Sequence, residues 1–344
     1  MNPVPLVEVT RGDTVESLHF GSVAVVDARG ALVAWAGDPH VVTFTRSTLK
    51  PLQALPFLLE GGAARFGFAE REIALMCASH SGEAAHLELV RGMLHKAGCE
   101  PHHLRCGCHV PLHYAATGET PPAGFIASPL HNNCSGKHAG FLAWCVQHGA
   151  PLDSYLAPGH PLQQAIRNSV ACFVGLDATA LPAGTDGCSA PNYAMPLSRL
   201  ALAYARLAQG DAGAAFGDLP QQLFAAMTGH PELVSGTGRN DLALMQAAPG
   251  DWLAKGGAEG VQAIGLRRAG LGIAIKIADG NARPLPAICV EVLRQLGVLG
   301  TPSASPLAPW VRPRLTNLMD LPTGELRPVL RLHFATDTQP DQGA

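Results

Sequence analysis

Residues 18–36 read LHFGSVAVVDARGALVAWA. Two apolar runs flank the turn signal Arg29-Gly30, and the run before the turn is rich in β-branched residues. This pattern predicts a β-hairpin in which Leu18–Asp27 pairs with Ala31–Ala36. A hairpin places its strands side by side in an antiparallel sheet, so the sheet is expected to begin near the N-terminus.

A second predicted hairpin lies far along the chain, where Val261–Leu266 and Gly272–Ile277 flank a glycine-containing turn. Leu6–Val9 is a further predicted strand near the N-terminus, and Val329–Phe334 is the last one. Strands at both ends of the chain favour one central, mostly antiparallel sheet that both ends build together.

The middle of the chain shows helical periodicity instead. Because strict alternation of strands and helices is missing, a doubly wound parallel fold is disfavoured, and we expect an α+β or α/β fold with helices on both sides of the sheet. Residues 1–335 are predicted to form a single catalytic domain, and the polar residues 336–344 a flexible tail. The predicted helices are Thr48–Leu59, Glu70–Met76, Ala84–Ala97, His138–Gln147, Leu162–Val174, Pro196–Ala208, Gln221–Thr228, Leu242–Ala247 and Pro286–Leu296.

Composition excludes several classes of protein. Hydrophobic residues make up 47% of the chain and charged residues 15%, which is typical of a globular protein and not of a disordered one. The net charge of −3 and the lack of basic runs disfavour nucleic acid or an anionic membrane as a partner. The N-terminal residues lack the pattern of a secretory signal, and the odd number of nine cysteines argues against a disulfide framework, so we expect a cytoplasmic protein.

Lysine is scarce in this chain, with five lysines against nineteen arginines. A buried lysine can lose its proton near neutral pH, which arginine cannot do. Lys50 follows Ser47 by three residues, and Pro51 places this S-x-x-K tetrad at the start of a helix. Ser47 is therefore either a nucleophile with Lys50 as its base or an ordinary helix cap.

Two further polar turns suggest partners for this tetrad. Ser79 lies in the turn Ser79-His80-Ser81-Gly82-Glu83, where a serine relays protons, acts as a second nucleophile or caps the following helix. Lys255-Gly256-Gly257 is similar to the K-T-G element of serine acyl-transferases, with glycine in place of threonine. The order S-x-x-K, serine turn and K-G-G matches the order in those enzymes, so a serine/lysine amide hydrolase is favoured over a non-enzymatic role.

A third group of residues suggests a metal. Cys134 and Cys188 lie in polar turns far apart in the sequence, and two such cysteines could share a zinc ion, although no C-x-x-C pair supports them. Gly136-Lys137 does not form a phosphate-binding loop, because His131 stands where that motif needs glycine.

Together these motifs resemble the class 3, or rhizobial thermolabile, type of L-asparaginase, the asparaginase II family. The resemblance spans most of the chain, and it implies a serine β-lactamase-like fold and hydrolysis of L-asparagine to L-aspartate and ammonia. The stretches that carry it are Arg46–Pro51, Ser79–Glu83, Asn133–His138, Asp186–Cys188, Gly236–Arg239, Lys255–Gly260 and Lys276–Gly280.

The resemblance also implies site residues. It makes Ser47–Lys50 and Ser79–Lys255 two catalytic pairs, and it makes Cys134, Lys137 and Cys188 the ligands of a zinc ion. Family members are typically homodimers, so a homodimer is expected. Within the same stretches we predict a set of substrate-binding residues, namely Arg46, His80, Asn133, Asp186 and Arg239.

Three alternatives stay open at this stage. Either serine could attack, and Ser47 is favoured for its position at a helix end. L-Glutamine differs from L-asparagine by one methylene, which a pocket discriminates by only about 1–3 kcal/mol, so a glutaminase or another serine/lysine amidase is the nearest rival. A non-catalytic zinc- or amino-acid-binding protein is the alternative from another class.

Overall fold

The computed structural model describes residues 2–300 and 305–335. Its strands are β1 (Val4–Arg11), β2 (Thr14–Asp27), β3 (Leu32–Ala36), β4 (Val42–Phe44), β5 (Ala183–Thr185), β6 (Pro191–Pro196), β7 (Trp252–Gly257), β8 (Val261–Leu266), β9 (Leu271–Ile277), β10 (Arg314–Thr316), β11 (Pro322–Pro328) and β12 (His333–Phe334). Its α-helices are α1 (Lys50–Gln53), α2 (Leu55–Leu59), α3 (Gly62–Phe66), α4 (Glu70–Met76), α5 (Ala84–Lys96), α6 (Leu112–Thr117), α7 (Ser135–His148), α8 (Pro161–Val174), α9 (Leu197–Gln209), α10 (Leu219–Gly229), α11 (Pro231–Val234), α12 (Asn240–Ala247) and α13 (Leu285–Gln295).

The two predicted hairpins meet in one antiparallel sheet. Its main path runs β10-β11-β1-β2-β9-β8-β7; off this path, β3 pairs with β2 and β12 pairs with β3. β2 joins the two ends of the chain, because it pairs with β1 and β3 from the N-terminal part and with β9 from the late hairpin. The predicted mostly antiparallel sheet, built from N- and C-terminal strands, is therefore confirmed. β4, β6 and β5 form a separate sheet of three strands.

Helices cover both faces of the central strands. Val23–Val26 of β2 are all buried, although successive side chains of a strand point to opposite faces. α9 packs closely on the late hairpin, because a Cβ atom at Gly272 would lie 1.9 Å from the carbonyl oxygen of Ala201. Glycine at this position therefore allows the helix to approach the sheet directly.

The boundaries of two elements differ from the prediction. Thr48–Leu59 is a 3₁₀ turn followed by the short helices α1 and α2, since Pro56 lacks a backbone N–H and starts a new helix at Leu55. The predicted last strand, Val329–Phe334, is wrong for most of its length: the long strand is β11, and only the last two residues pair, with β3. β7 was not predicted as a strand.

The other eight predicted helices each overlap an observed helix. The predicted flexible tail, residues 336–344, lies outside the described residues. None of the helices within residues 2–300 and 305–335 is long and apolar enough to cross a membrane.

Candidate active site

A cavity of about 480 Å³ lies beside β7, at the edge of the main sheet. We call it the serine cavity, because both predicted catalytic serines line it. Main-chain and apolar groups of α6 and of the β7–β8 turn form part of its wall. Its polar side chains are Ser47, Ser79, Asn133, Arg239, Asn240, Asp241 and Gln262.

Ser47 reaches this cavity from a 3₁₀ turn, Arg46–Leu49, directly before α1. Pro51 occupies the first turn of α1, as its missing N–H predicts. Arg46 has a φ of 51°, a left-handed conformation that is unfavourable for a residue with a side chain. The buried side chain of Asn192 bonds to the backbone of Arg46, which fixes the turn with Ser47 half-buried at the cavity.

Neither predicted serine acts as a helix cap. Thr45 precedes the 3₁₀ turn and makes no capping hydrogen bond with its side chain, and Leu49 precedes α1. Glu83 precedes α5, while the hydroxyl of Ser81 donates to the carbonyl of Ser235 at 2.8 Å. The alternative in which these serines serve only as caps is therefore not observed.

Ser79 follows the end of α4 and is held on two sides. Its N–H donates to the carbonyl of Val234 at 2.9 Å, and Lys50 Nζ donates to its hydroxyl at 2.9 Å. Lys50 also donates to the carbonyls of Ala78 at 2.5 Å and Asn133 at 3.3 Å. Two of these partners are carbonyls, which only accept, and the third is a hydroxyl, so the amine of Lys50 is held on three sides.

Lys255 approaches the same region from β7 and is fully buried. Its Nζ donates to the carbonyl of Gly256 at 2.7 Å and lies 3.4 Å from Asp241 Oδ2. Burial is the main cause that lowers the pKa of Lys255, to about 8; the charge of Lys50 acts in the same direction and Asp241 opposes both. Lys255 can therefore lose its proton close to neutral pH.

The observed serine–lysine contact differs from both implied pairs. Among the described residues the hydrogen bond joins Lys50 to Ser79, and neither Ser47–Lys50 nor Ser79–Lys255 forms one. Lys255 nevertheless faces the turn of Ser47. A Cβ atom at Gly257, two residues further along β7, would lie 3.3 Å from Ser47 N, and residues two apart share one face of a strand.

The three residues implied as zinc ligands come together next to the serine cavity, since Cys134 Sγ donates to Oδ1 of the cavity-lining Asn133 at 3.3 Å. Lys137 Nζ lies 3.1 Å from Cys188 Sγ, and Cys134 hydrogen-bonds to Cys188. That bond, together with the charge of Lys137, holds the pKa of the Cys188 thiol well below its usual range and raises the pKa of Cys134. Burial alone would lower the pKa of Lys137, but attraction to Cys188, Cys134 and Asp186 outweighs it and raises that pKa.

The chemistry of this cluster is compatible with zinc. Two cysteine sulfurs are typical zinc donors, and Lys137, whose pKa these sulfurs raise, would complete the set only by giving up its proton when the metal binds. The buried His138 lies beside Cys188 and interacts with its sulfur, and its Nδ1 pairs with the Tyr155 hydroxyl at 2.7 Å. No group of three or more His, Cys, Asp or Glu residues suited to a metal occurs within residues 2–300 and 305–335, so the amine of Lys137 is needed for a third ligand.

The five predicted substrate-binding residues divide into three groups. Asn133 and Arg239 line the serine cavity. His80 is fully buried behind it, where its Nε2 bonds to Ser135 Oγ at 2.8 Å. Burial lowers the pKa of His80 well below its ordinary value, so this ring is neutral at pH 7.

Arg46 and Asp186 instead line a neighbouring cavity of about 410 Å³. Their side chains form an ion pair, with 2.9 Å between Arg46 Nε and Asp186 Oδ1. Glu259 and Lys276 line the same cavity, which is therefore charged on several sides. Arg46 precedes Ser47 in the chain, so the backbone of one turn connects the two cavities.

Sequence reasoning missed four polar residues at the site: Asn192, Asn240, Asp241 and Gln262. The amide of Gln262 donates to Asp241 Oδ1 at 3.0 Å, and Gly256 N–H donates to Asp241 Oδ2 at 2.9 Å. Asp241 is also an acidic residue in the first turn of α12, a position that favours negative charge. The position of Asp241 at a helix start was its one sequence signal. Because acidic residues are common at helix starts, this signal does not single out Asp241.

Comparison with known proteins places these features in a family. The family model described as L-asparaginase II matches residues 7–328. No curated protein matches the chain. Similar solved structures include a β-lactamase from Mycobacterium bovis, with 17% identity, a TM-score of 0.42, and coverage of 80% of this chain and 94% of that one. Another is Mglu in its native form, with 16% identity, a TM-score of 0.38, and coverage of 81% of this chain and 61% of that one.

Proposed function

The chain belongs to the L-asparaginase II family, and from this we propose that it hydrolyses L-asparagine to L-aspartate and ammonia. The observation that carries the proposal is the serine cavity, which Ser47 and Ser79 line: the buried Lys50 bonds to Ser79, and the buried Lys255 directly precedes Gly256 and Gly257 of the cavity wall. Serine and lysine together perform acyl transfer without a histidine, provided that a lysine is neutral at the working pH.

In the proposed reaction Ser47 attacks the side-chain amide. Its Oγ forms a bond to the amide carbon, the C–N bond breaks, and the nitrogen leaves as ammonia with the proton that Ser47 gave up. Water then adds to the resulting ester, releases L-aspartate and returns a proton to Ser47. Ser47 is chosen over Ser79 for its place at the start of a helical turn, where backbone amides favour developing negative charge.

The two lysines take different roles in this proposal. Lys255 is the base, since burial brings its pKa to about 8. Lys50 holds Ser79 through the hydrogen bond to its hydroxyl and is itself fixed by the carbonyls of Ala78 and Asn133. Ser79 can pass a proton along this hydrogen bond during the second half of the reaction.

Backbone amides at the 3₁₀ turn are the candidate oxyanion donors. The N–H of Ser47 lies at the start of this turn, where amide groups lack partners within the helix. Gly257 leaves this N–H accessible, because any side chain there would lie 3.3 Å from Ser47 N. Negative charge that develops on the amide oxygen would be stabilised here.

The substrate's amino acid end needs charged partners. Arg239 lines the serine cavity and supplies a guanidinium for the α-carboxylate, and Asn133 supplies an amide. We retain Arg46, Asp186 and His80 as proposed substrate-binding residues, with Arg46 and Asp186 acting from the neighbouring cavity.

Zinc belongs to the proposal as a separate centre held by Cys134, Lys137 and Cys188. When bound, it would supply positive charge that fixes these three side chains in one geometry. Asp186 lies close enough to Lys137 to influence its pKa, and through its ion pair with Arg46 it links the cluster to the turn of Ser47. A homodimer, a cytoplasmic location and a single catalytic domain over residues 1–335 stay predictions.

Ammonia release from purified protein tests the proposed function. We expect release from L-asparagine by the wild type, a loss of at least about 10³-fold in Ser47→Ala, and little change in Ser17→Ala, an exposed serine on β2. L-Glutamine is assayed in parallel, because faster release from it would replace asparaginase by glutaminase. If the wild type releases ammonia from neither amide, the proposed function is wrong, and amino acid binding without turnover would favour the binding-protein alternative.

A further inference from the structure

Asp241 is a buried carboxylate at the floor of the serine cavity, with 4% of its surface exposed. It accepts hydrogen bonds from Gly256 N–H at 2.9 Å and from the Gln262 amide at 3.0 Å. Its Oδ2 also lies 3.4 Å from Lys255 Nζ. Two fixed donors therefore orient the carboxylate, and one of its oxygens faces the amine.

Lys255 itself has few ways to turn. It is fully buried, and its remaining hydrogen bond goes to the carbonyl of its own neighbour, Gly256. Among the described residues, Asp241 of α12 is therefore the side chain that the Lys255 amine contacts.

We propose that Asp241 is a positioning residue that aims the Lys255 amine at the cavity and sets the pH at which it becomes a base. This inference rests on the proposed function for its catalytic part. The coupling between Asp241 and Lys255 can be measured without any substrate.

The charges around Lys255 give the direction of the effect. Lys50 and Arg239 repel its ammonium and burial disfavours it, whereas Asp241 is the acidic side chain that stabilises it. Cys77 does not substitute for Asp241, because burial raises its pKa to about 12 and keeps it neutral. The further titratable groups close to Asp241 are Tyr204 and Cys289, whose pKa values burial raises, so both stay neutral at pH 7.

Removing the carboxylate therefore leaves burial and two positive charges unopposed. The pKa of Lys255 should fall in Asp241→Asn, because an opposite charge within about 4–6 Å typically shifts a pKa by about 1–3 units. Asp241→Glu keeps the negative charge but moves the carboxylate. This variant therefore separates the effect of the charge on Lys255 from the effect of its position.

The first experiment follows the lysines directly. With five lysines in the chain, ¹⁵N-lysine labelling of the full-length protein gives few Nζ signals, and Lys255→Arg assigns the one from Lys255. We expect its titration midpoint to move down by about 1–3 pH units in Asp241→Asn. An unchanged midpoint in folded Asp241→Asn overturns the proposal, whether or not the protein hydrolyses L-asparagine.

The second experiment follows catalysis. In Asp241→Asn the acidic limb of the kcat/KM profile should move to lower pH together with the Lys255 midpoint, and kcat should fall at all pH values. Asp241→Glu should keep the limb near its wild-type position with a lower kcat. If Asp241→Asn fails to fold, the Glu variant still decides: wild-type kcat in that variant would overturn the positioning role.

Glu72→Gln is the matched control. Glu72 is also a buried carboxylate bonded to a lysine, Lys96, but it lies on α4 and does not line the serine cavity. A merely structural role for Asp241 predicts that both variants lose stability and keep the wild-type pH profile. Identical profiles in Asp241→Asn, Glu72→Gln and the wild type would therefore overturn the proposal.

Discussion

The side chain of Asn192 and the backbone of Arg46 share two hydrogen bonds. Asn192 Oδ1 accepts from Arg46 N–H at 2.9 Å, and its Nδ2 donates to the Arg46 carbonyl at 3.0 Å. Arg46 has a φ of 51°, a conformation that costs about 1–3 kcal/mol for a residue other than glycine. Asn192 therefore offsets the strain of the residue that precedes Ser47, and fixes the direction in which Ser47 enters the cavity.

Asn192→Ala should reduce kcat by about 10- to 100-fold, because the turn relaxes and Ser47 leaves its attacking geometry. The free energy of unfolding should fall by about 1–3 kcal/mol, since two partly buried backbone groups lose their partner. Steady-state kinetics and thermal unfolding measure the two effects. Asn317→Ala is the control, because Asn317 also bonds backbone amides but does so in the exposed turn between β10 and β11. A stability loss with wild-type kcat in Asn192→Ala would contradict this role.

The pH profile should reveal Lys255. Its pKa is lowered from the ordinary value near 10.5 to about 8, so the amine predominates above about pH 8 and the ammonium below. If Lys255 is the base, kcat/KM rises with pH and levels off above about 8. Lys255→Arg should remove activity at every pH, because arginine does not lose its proton. Lys96→Arg, at a partly exposed ion pair, should keep the wild-type profile. A flat profile between pH 6 and 9 would show that another group is the base.

The sequence predicted those parts of the fold that depend on local patterns. Val23–Val26 and the late hairpin have strong strand signals, and Pro51 marked the start of a helix because proline tolerates only the first turn. β7 was missed because Trp252–Gly257 ends in Lys255 and two glycines, which read as a turn. Its strand character comes from pairing with β8, which is a tertiary effect.

The sequence predicted several of the residues that form the site, but not which of their side chains contact one another. Lysine scarcity and the S-x-x-K tetrad identified Lys50, yet its bond to Ser79 spans 29 positions and depends on how α1 packs beside the end of α4. Asp241 carried no distinctive motif, and its role follows from contacts with β7 and with Gln262, 21 positions away. Side-chain partners across such separations are set by packing of whole elements, which a single sequence does not specify.

Gly257→Ala tests the close approach of β7 to the turn of Ser47. The added Cβ would lie 3.2 Å from Arg46 Cβ, 3.2 Å from the Thr45 carbonyl oxygen and 3.3 Å from Ser47 N. These atoms belong mostly to a fixed backbone, so the turn must shift. We expect kcat/KM to fall by about 10-fold or more, because small displacements at a reacting group are costly.

Gly92→Ala is the control for this substitution. Gly92 lies within α5 with open space around its Cβ position, so alanine should raise stability by up to about 1 kcal/mol and leave kcat/KM unchanged. Equal kcat/KM for wild type and Gly257→Ala would mean that the turn has room for a side chain, and the proposed oxyanion position at Ser47 N would then be wrong.

Metal content tests the cluster of Cys134, Lys137 and Cys188. Elemental analysis of protein purified without chelator should find about one zinc per chain in the wild type and much less in Cys188→Ala, because a cysteine sulfur that binds the metal is lost. Chelation should lower the unfolding temperature of the wild type, since a metal that binds the folded state stabilises it.

Cys172→Ala, at an exposed free cysteine on α8, should keep the wild-type zinc content and unfolding temperature. Equal zinc in Cys188→Ala and wild type would remove Cys188 from the ligand set, and zinc-free wild type with an unfolding temperature insensitive to added zinc would remove the metal from the proposal.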